Sequence, residues 1–196
     1  MYTSRTGLTL GFHGTDASVV QEVLTGKADL KQRNNRYDWL GNGIYFWDNS
    51  PSRALEWATE LSKRPKSNIK KPAVIGAILD LGRCLDLLDY ENLAYVQEAH
   101  AVLQTAVESA GTTMPVNSGK THDLLFRELD CAVIQTLHAT FEEGDKPAFD
   151  SVRGVFWEGK EIYPTAGFRE KDHIQVCVRN LDCIKGYFLP LPRITS

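Results

Sequence analysis

The chain has 196 residues and a formal charge of −3, with 42% hydrophobic, 24% charged and 10% aromatic residues. That length suits one domain with its own core, here taken as residues 1–196, and the composition is that of an ordinary globular protein. A near-neutral charge excludes general attraction to nucleic acid, and no run of about 18 apolar residues exists to span a membrane. The first residues, MYTSRTGLTLGFHGT, lack the apolar core of a signal peptide, so a cytoplasmic location is expected. Cys84, Cys131, Cys177 and Cys183 form no CxxC pair and mostly sit in apolar runs. Neither a disulfide framework nor a metal site is expected.

In chain order, residues 7–13 (GLTLGFH) read as a short strand ending at His13. Thr15 or Asp16 can cap a helix over ASVVQEVLTG, stopped by Gly26. Residues 28–43 are polar and irregular, a loop, and GIYFW is a brief strand. The next segment, SPSRALEWATELSKR, is a helix capped by Ser50 with Pro51 at its first position and a stripe of Ala54, Leu55, Ala58 and Leu61. The basic run at 63–71 reads as a solvated connection, with phosphate contact as the alternative. PAVIGAILDLGRCLDLLD gives a strong strand, a turn at Gly82 and a second strand. Residues 91–110 are helical, 111–121 a loop, 122–144 a helix and 149–157 a strand. The tail gives an alternating strand over HIQVCV and a shorter one after a turn. This irregular alternation predicts an α+β domain, not a doubly wound sheet.

Several motifs fail on inspection. NSGKT at 117–121 lacks the earlier glycine of a phosphate-binding loop, since that position is Met114. HExxH, GxSxG and a helix-opening GxGxxG are not found. His100, His122 and His138 are expected to be surface or satisfied core histidines.

Two short stretches remain. GFHGTD puts His13 at a strand end, followed by a glycine that lets a ligand approach a backbone N–H and C=O, the complement of a carboxamide. GNGIYF offers Tyr45 as a flat face on which a cationic pyridinium ring stacks. FHGT, followed by GNGIYFWDNSPSRALEWA, resembles the ADP-ribosyltransferase superfamily, in the branch of poly- and mono(ADP-ribose) transferases and diphtheria-like toxins. The resemblance covers residues 10–58 well and the last strands loosely, while 85–150 matches nothing.

The resemblance implies a split mixed β-sheet with flanking helices and NAD as substrate, with no metal. His13 would bind the adenosine ribose, Gly14 the nicotinamide carboxamide, and Tyr45 the nicotinamide ring, with Thr15 and Gly43 beside them. The family's carboxamide serine falls at Arg53, leaving Ser52 as its neighbour, and its second stacking aromatic falls at Glu56, leaving Trp57. Alternation on the late strand sets His173, Gln175 and Cys177 on one face, a face expected to meet solvent or a ligand. Gln175 falls at the family's catalytic glutamate with His173 beside it; Glu170 and Asp172 are reserves. A glutamine orients hydroxyls but brings no negative charge to a developing cation. The implied activity is therefore mono-ADP-ribosyl transfer to a macromolecular acceptor, either protein or RNA or DNA. The short chain resembles bacterial toxins or phage-defence effectors with a neutralising antitoxin partner. The alternatives are a catalytically silent module binding NAD, ADP-ribose or a partner, and an NAD glycohydrolase.

Overall fold

A computed structural model describes residues 7–119, 121 and 123–191; His122 and Lys120 of NSGKT lie outside the described residues. Seven strands form one mixed sheet in the order β4-β7-β8-β2-β1-β3-β9. They are β1 (Thr9–Asp16), β2 (Ile44–Asp48), β3 (Pro72–Leu79), β4 (Cys84–Asp86), β7 (Ser151–Phe156), β8 (His173–Val178) and β9 (Ile184–Phe188). A separate two-stranded ribbon pairs β5 (Asn117–Ser118) with β6 (Phe126–Arg127). Four α-helices are described, α1 (Ala17–Leu24), α2 (Pro51–Ser62), α3 (Tyr90–Ser109) and α4 (Glu128–Glu143). Among the described residues, only the β4–β7 pairing is parallel within the large sheet. The expected α+β single domain is the observed one.

Alternation along the strands divides the core. Ile44 and Phe46 of β2, Ile75, Ala77 and Leu79 of β3, and Val176 and Val178 of β8 pack with Val20 and Val23 of α1. On the opposite face, α3 and α4 cover Leu85, Val152 and Cys177 with Val133, Ile134, Leu137 and Phe141. At the β1 side of that face, Ala54 of α2 packs on Phe12 and Trp47.

Local chemistry explains most element ends. Asp16 caps α1 by accepting from Ser18 N at 2.9 Å, and Gly26 follows the helix at φ +67°. Pro51 begins α2 as expected, but the Ser50 side chain makes no capping bond. The stripe of α2 is corrected as well: Ala54 and Ala58 are fully buried, Leu55 is exposed, and Arg53 is buried in its place. β1 runs three residues past His13 because its partner β3 continues to Pro72. The helix expected over 122–144 begins only at Glu128. Asn117 explains that start, since its Oδ1 accepts from Leu129 N and Asp130 N at 3.0 and 3.2 Å and caps α4 from a distant loop.

The feature that positions the site is a split in the sheet. β1 is laddered to β3 over its whole length, from Thr9↔Leu79 to Asp16↔Pro72. Its ladder with β2 has two pairs, Gly11↔Asp48 and Phe12↔Trp47, while β2 stays laddered to β8 from Ile44↔Val178 to Trp47↔Gln175. Beyond Phe12, then, β1 and β2 part. Leu10 O accepts from Asn49 N on the β2 side, and Ala17 N donates to Lys71 O on the β3 side. Backbone groups alternate in direction along a strand, so the N–H and C=O of Gly14 face the split.

The reason for a glycine at 14 differs from the sequence expectation. A Cβ there would overlap the carbonyl oxygen of Ala54, so the close approach that requires glycine is made by α2 itself. Gly14→Ala is therefore expected to destabilise the fold by about 1–3 kcal/mol through overpacking, read as a lower midpoint in denaturant unfolding with an unchanged slope.

Candidate functional site

His13 stands at the mouth of the split. Its Nδ1 lies 2.8 Å from Tyr45 O, and a carbonyl only accepts, so Nδ1 carries the proton. Burial lowers the pKa from 6.5 to about 4, against the raising effect of that hydrogen bond and with a smaller lowering from the Arg33 charge. The ring is thus neutral at pH 7 and its Nε2 keeps a lone pair, which suits it to accept from a hydroxyl.

Tyr45 is the next residue inward, and the two are joined through its backbone. Their side chains leave the sheet on different faces: His13 pairs with Ile75 of one core cluster and its ring meets Phe46 at 5.9 Å, whereas Tyr45 pairs with Cys177 of the other. The Tyr45 hydroxyl accepts from Leu40 N at 2.9 Å and donates to Gly41 O at 2.8 Å. Burial chiefly holds its pKa well above 10. The phenol is therefore a fixed neutral edge. Gly41, at φ +82°, allows this return of the chain, and a Cβ on Gly43 would press on Val178 O and Cys177 Sγ.

Register puts Tyr45 opposite Cys177 and Trp47 opposite Gln175, with Gly154 on the far side of Gln175. On the face of His173, Gln175 and Cys177, Cys177 is fully buried, whereas His173 and Gln175 are half-buried. Trp39 lies on Gly154, where a Cβ would come within 2.8 Å of its ring, and its Nε1 donates to Gln175 Oε1 at 2.7 Å. That bond orients the amide so that its NH2 is the end left for a ligand. His173 Nδ1 donates to Lys171 O at 2.6 Å, and burial lowers this imidazole to about 4.

Arg53 fills the floor beside them. Its Nη2 donates to both oxygens of Glu158 at 2.8 and 2.7 Å, and its guanidinium lies 5.9 Å from the Trp47 ring. Glu158 Oε2 is 3.9 Å from His173 Nδ1. Trp47 Nε1, Arg53 Nε and Nη1, and His173 Nε2 are buried with no hydrogen-bond partner among the described residues, although Nη1 keeps an ion-pair contact with Glu56 at 3.5 Å. Three N–H donor groups and one ring lone pair are thus left to be matched, a demand that a polar ligand with both acceptor and donor would meet.

The remaining sequence candidates divide. Trp57 is in the cluster, 5.4 Å from Trp47 with Arg33 5.0 Å above its ring. Thr15 is half-buried on β1, and Ser52 is exposed on α2 beside the buried Arg53. Asp172 accepts from Glu158 N and Arg169 N, and Glu170 from Lys160 N, so both reserves hold the 157–172 loop together. Sequence reasoning missed Trp39, Arg33, Arg53 as a buried ion and Glu158. Only Arg53 carried a signal, by standing in an apolar helix stripe. No group of three or more His, Cys, Asp or Glu suited to a metal occurs among the described residues. No family model, no curated protein and no solved structure matches the chain.

His138 departs from its expectation. It is buried, and neither ring nitrogen has a partner among the described residues, so it is not a satisfied core histidine. Burial first, then the Arg179 charge, lowers its pKa to about 3. His13, His138 and His173 share one sign: each binds its proton more weakly folded than at the unfolded value of 6.5. The unfolded chain therefore binds more protons below about pH 6.5, and stability falls with pH from there towards about 4. Tm measured between pH 7 and pH 4.5 is expected to drop, and His138→Leu to flatten the drop by up to one proton without losing stability at pH 7.

Proposed function

We propose that the chain is a mono-ADP-ribosyltransferase that takes NAD into the split and passes ADP-ribose to a macromolecular acceptor. The observation that carries this reading is the split itself: Gly14 turns its backbone into it, the neutral His13 spans it to the Tyr45 carbonyl, and the fixed Tyr45 ring lies at its edge on the other face of the sheet. A carboxamide is the complement of a backbone N–H and C=O, and the unmatched N–H groups of Trp47 and Arg53 add further donors for a ligand oxygen. His13 Nε2 accepts from a ribose hydroxyl. The Tyr45 ring holds the pyridinium against β2 while the glycosidic bond to nicotinamide breaks and the acceptor attacks the anomeric carbon from the opposite side. NAD is already an activated donor, so positioning supplies most of the rate.

Gln175 sets the limit of that chemistry. Its Oε1 already accepts from Trp39, and it brings no charge to the oxocarbenium-like transition state. The mostly buried acidic group in the cluster, Glu158, is bound to Arg53. These facts favour a second reading, a module that binds NAD or ADP-ribose without turning it over. Water as the acceptor would make the same site an NAD glycohydrolase.

Calorimetric NAD binding and nicotinamide release, with and without lysate protein or bulk RNA, separate the three. The transferase requires release that depends on a macromolecule and falls at least about tenfold, or about 1.4 kcal/mol, in His13→Ala and Tyr45→Ala. Gln175→Glu, which keeps an acceptor for Trp39 and adds a charge, is expected to raise the rate. Binding without release selects the silent module; release without acceptor selects hydrolysis; full activity in both alanine variants removes the assignment.

A further inference from the structure

A second site lies behind Trp39. Between α3, α4 and the residues entering α4 there is a cavity of about 400 Å³. Leu87, Val96, Val133 and Ile134 form its wall, and the Trp39 indole closes the side towards the sheet. Leu93, about half exposed, lies at its edge with Gln97 and His100. The charged lining residues, Arg127 and Asp130, neutralise each other at 3.1 Å, and Arg127 also donates to Leu124 O and Asp123 O. The cavity is therefore apolar in body, polar at one rim and uncharged in sum.

We propose that this cavity binds a neutral, largely apolar small molecule of two to three rings with one hydrogen-bonding end, and that Trp39 carries its presence to Gln175. A cavity of roughly 150 Å³ accepts a single benzene, so the volume here admits two to three rings but no folded partner or helix. A charged ligand would lose its hydration without gaining an unpaired counter-charge. Trp39 is one residue with two contacts: its ring faces Gly154 and Phe156 of the sheet as well as the cavity, and its Nε1–H holds Gln175. A ligand that packs on the indole and shifts it lengthens that 2.7 Å bond and frees Gln175 Oε1. The direction of control is therefore release of the glutamine, independent of which dinucleotide chemistry the split performs.

N-phenyl-1-naphthylamine, a neutral three-ring fluorophore with one N–H, is the probe. The full chain is expected to bind one equivalent, with tryptophan-excited emission that falls several-fold in Trp39→Phe. Val96→Phe, which fills the cavity, and Leu93→Phe, which alters only its edge, are expected to weaken binding roughly tenfold, about 1.4 kcal/mol. The use of two variants keeps the test valid if one folds poorly. The analogue carrying a sulfonate, 8-anilinonaphthalene-1-sulfonate, should bind more weakly by a similar factor; equal affinity overturns the neutral class. No saturable binding, or binding untouched by both Val96→Phe and Leu93→Phe, overturns the site. The indole N–H resonance missing in Trp39→Phe should shift when the probe is added to the wild type, and no shift overturns the relay. If NAD fails to bind while the naphthylamine results hold, the dinucleotide reading falls and the cavity stands.

Discussion

The hydrogen bond from His13 Nδ1 to Tyr45 O is the constraint on which the candidate site depends. Tyr45 O points towards β1, where the ladder would give it the backbone N–H of Gly14. The imidazole takes that acceptor instead, and β1 and β2 separate after Phe12↔Trp47. A buried carbonyl left without a donor would cost about 1–3 kcal/mol, so the split is tolerable only because a side chain replaces the lost backbone partner. Burial then keeps the imidazole neutral, which preserves both the Nδ1 proton it donates and the Nε2 lone pair it offers.

The other side of the cleft is organised by side chains from far along the chain. Trp39, from the long connection between α1 and β2, reaches Gln175 of β8 and fills the space left by Gly154 of β7. Arg53, from α2, joins Glu158 beyond β7 as a buried ion pair. Such a pair adds little net stability, because desolvation of both ions offsets their attraction, but loss of either partner would strand a buried charge. Its effect is positional: it fixes the 157–172 loop against α2 and holds the floor beneath Trp47 and His173. The helices α3 and α4 then close the outer wall, and their imperfect contact with Trp39 leaves the apolar cavity.

Much of the local structure was legible because the signals were local. Asp16 as a cap, Gly26 as a stop, Pro51 at a helix start and the alternation of His173 to Val178 each act within a few residues. The errors have one physical form. The start of α4 is set by Asn117, the end of β1 by β3, and the burial of Arg53 by Glu158, all partners more than ten residues away in sequence. Gly14 shows the same limit, since its need for glycine comes from a helix backbone laid across it.

By itself the sequence determined an α+β chain, the strands of the large sheet and the helices to within a few residues except for the start of α4, and His13, Tyr45 and Gln175 as residues of interest; the β5–β6 ribbon it did not show. It did so because hydrophobic period, capping and turn chemistry are encoded over short spans. Tertiary structure alone decided that β1 and β2 part, that His13 meets Tyr45 through a carbonyl, and that Gln175 is held by Trp39. It also decided that Arg53 and Glu158 share one buried site. Each of these depends on strand register and helix placement, which bring together residues up to 136 positions apart, and no pattern within a short window carries that information.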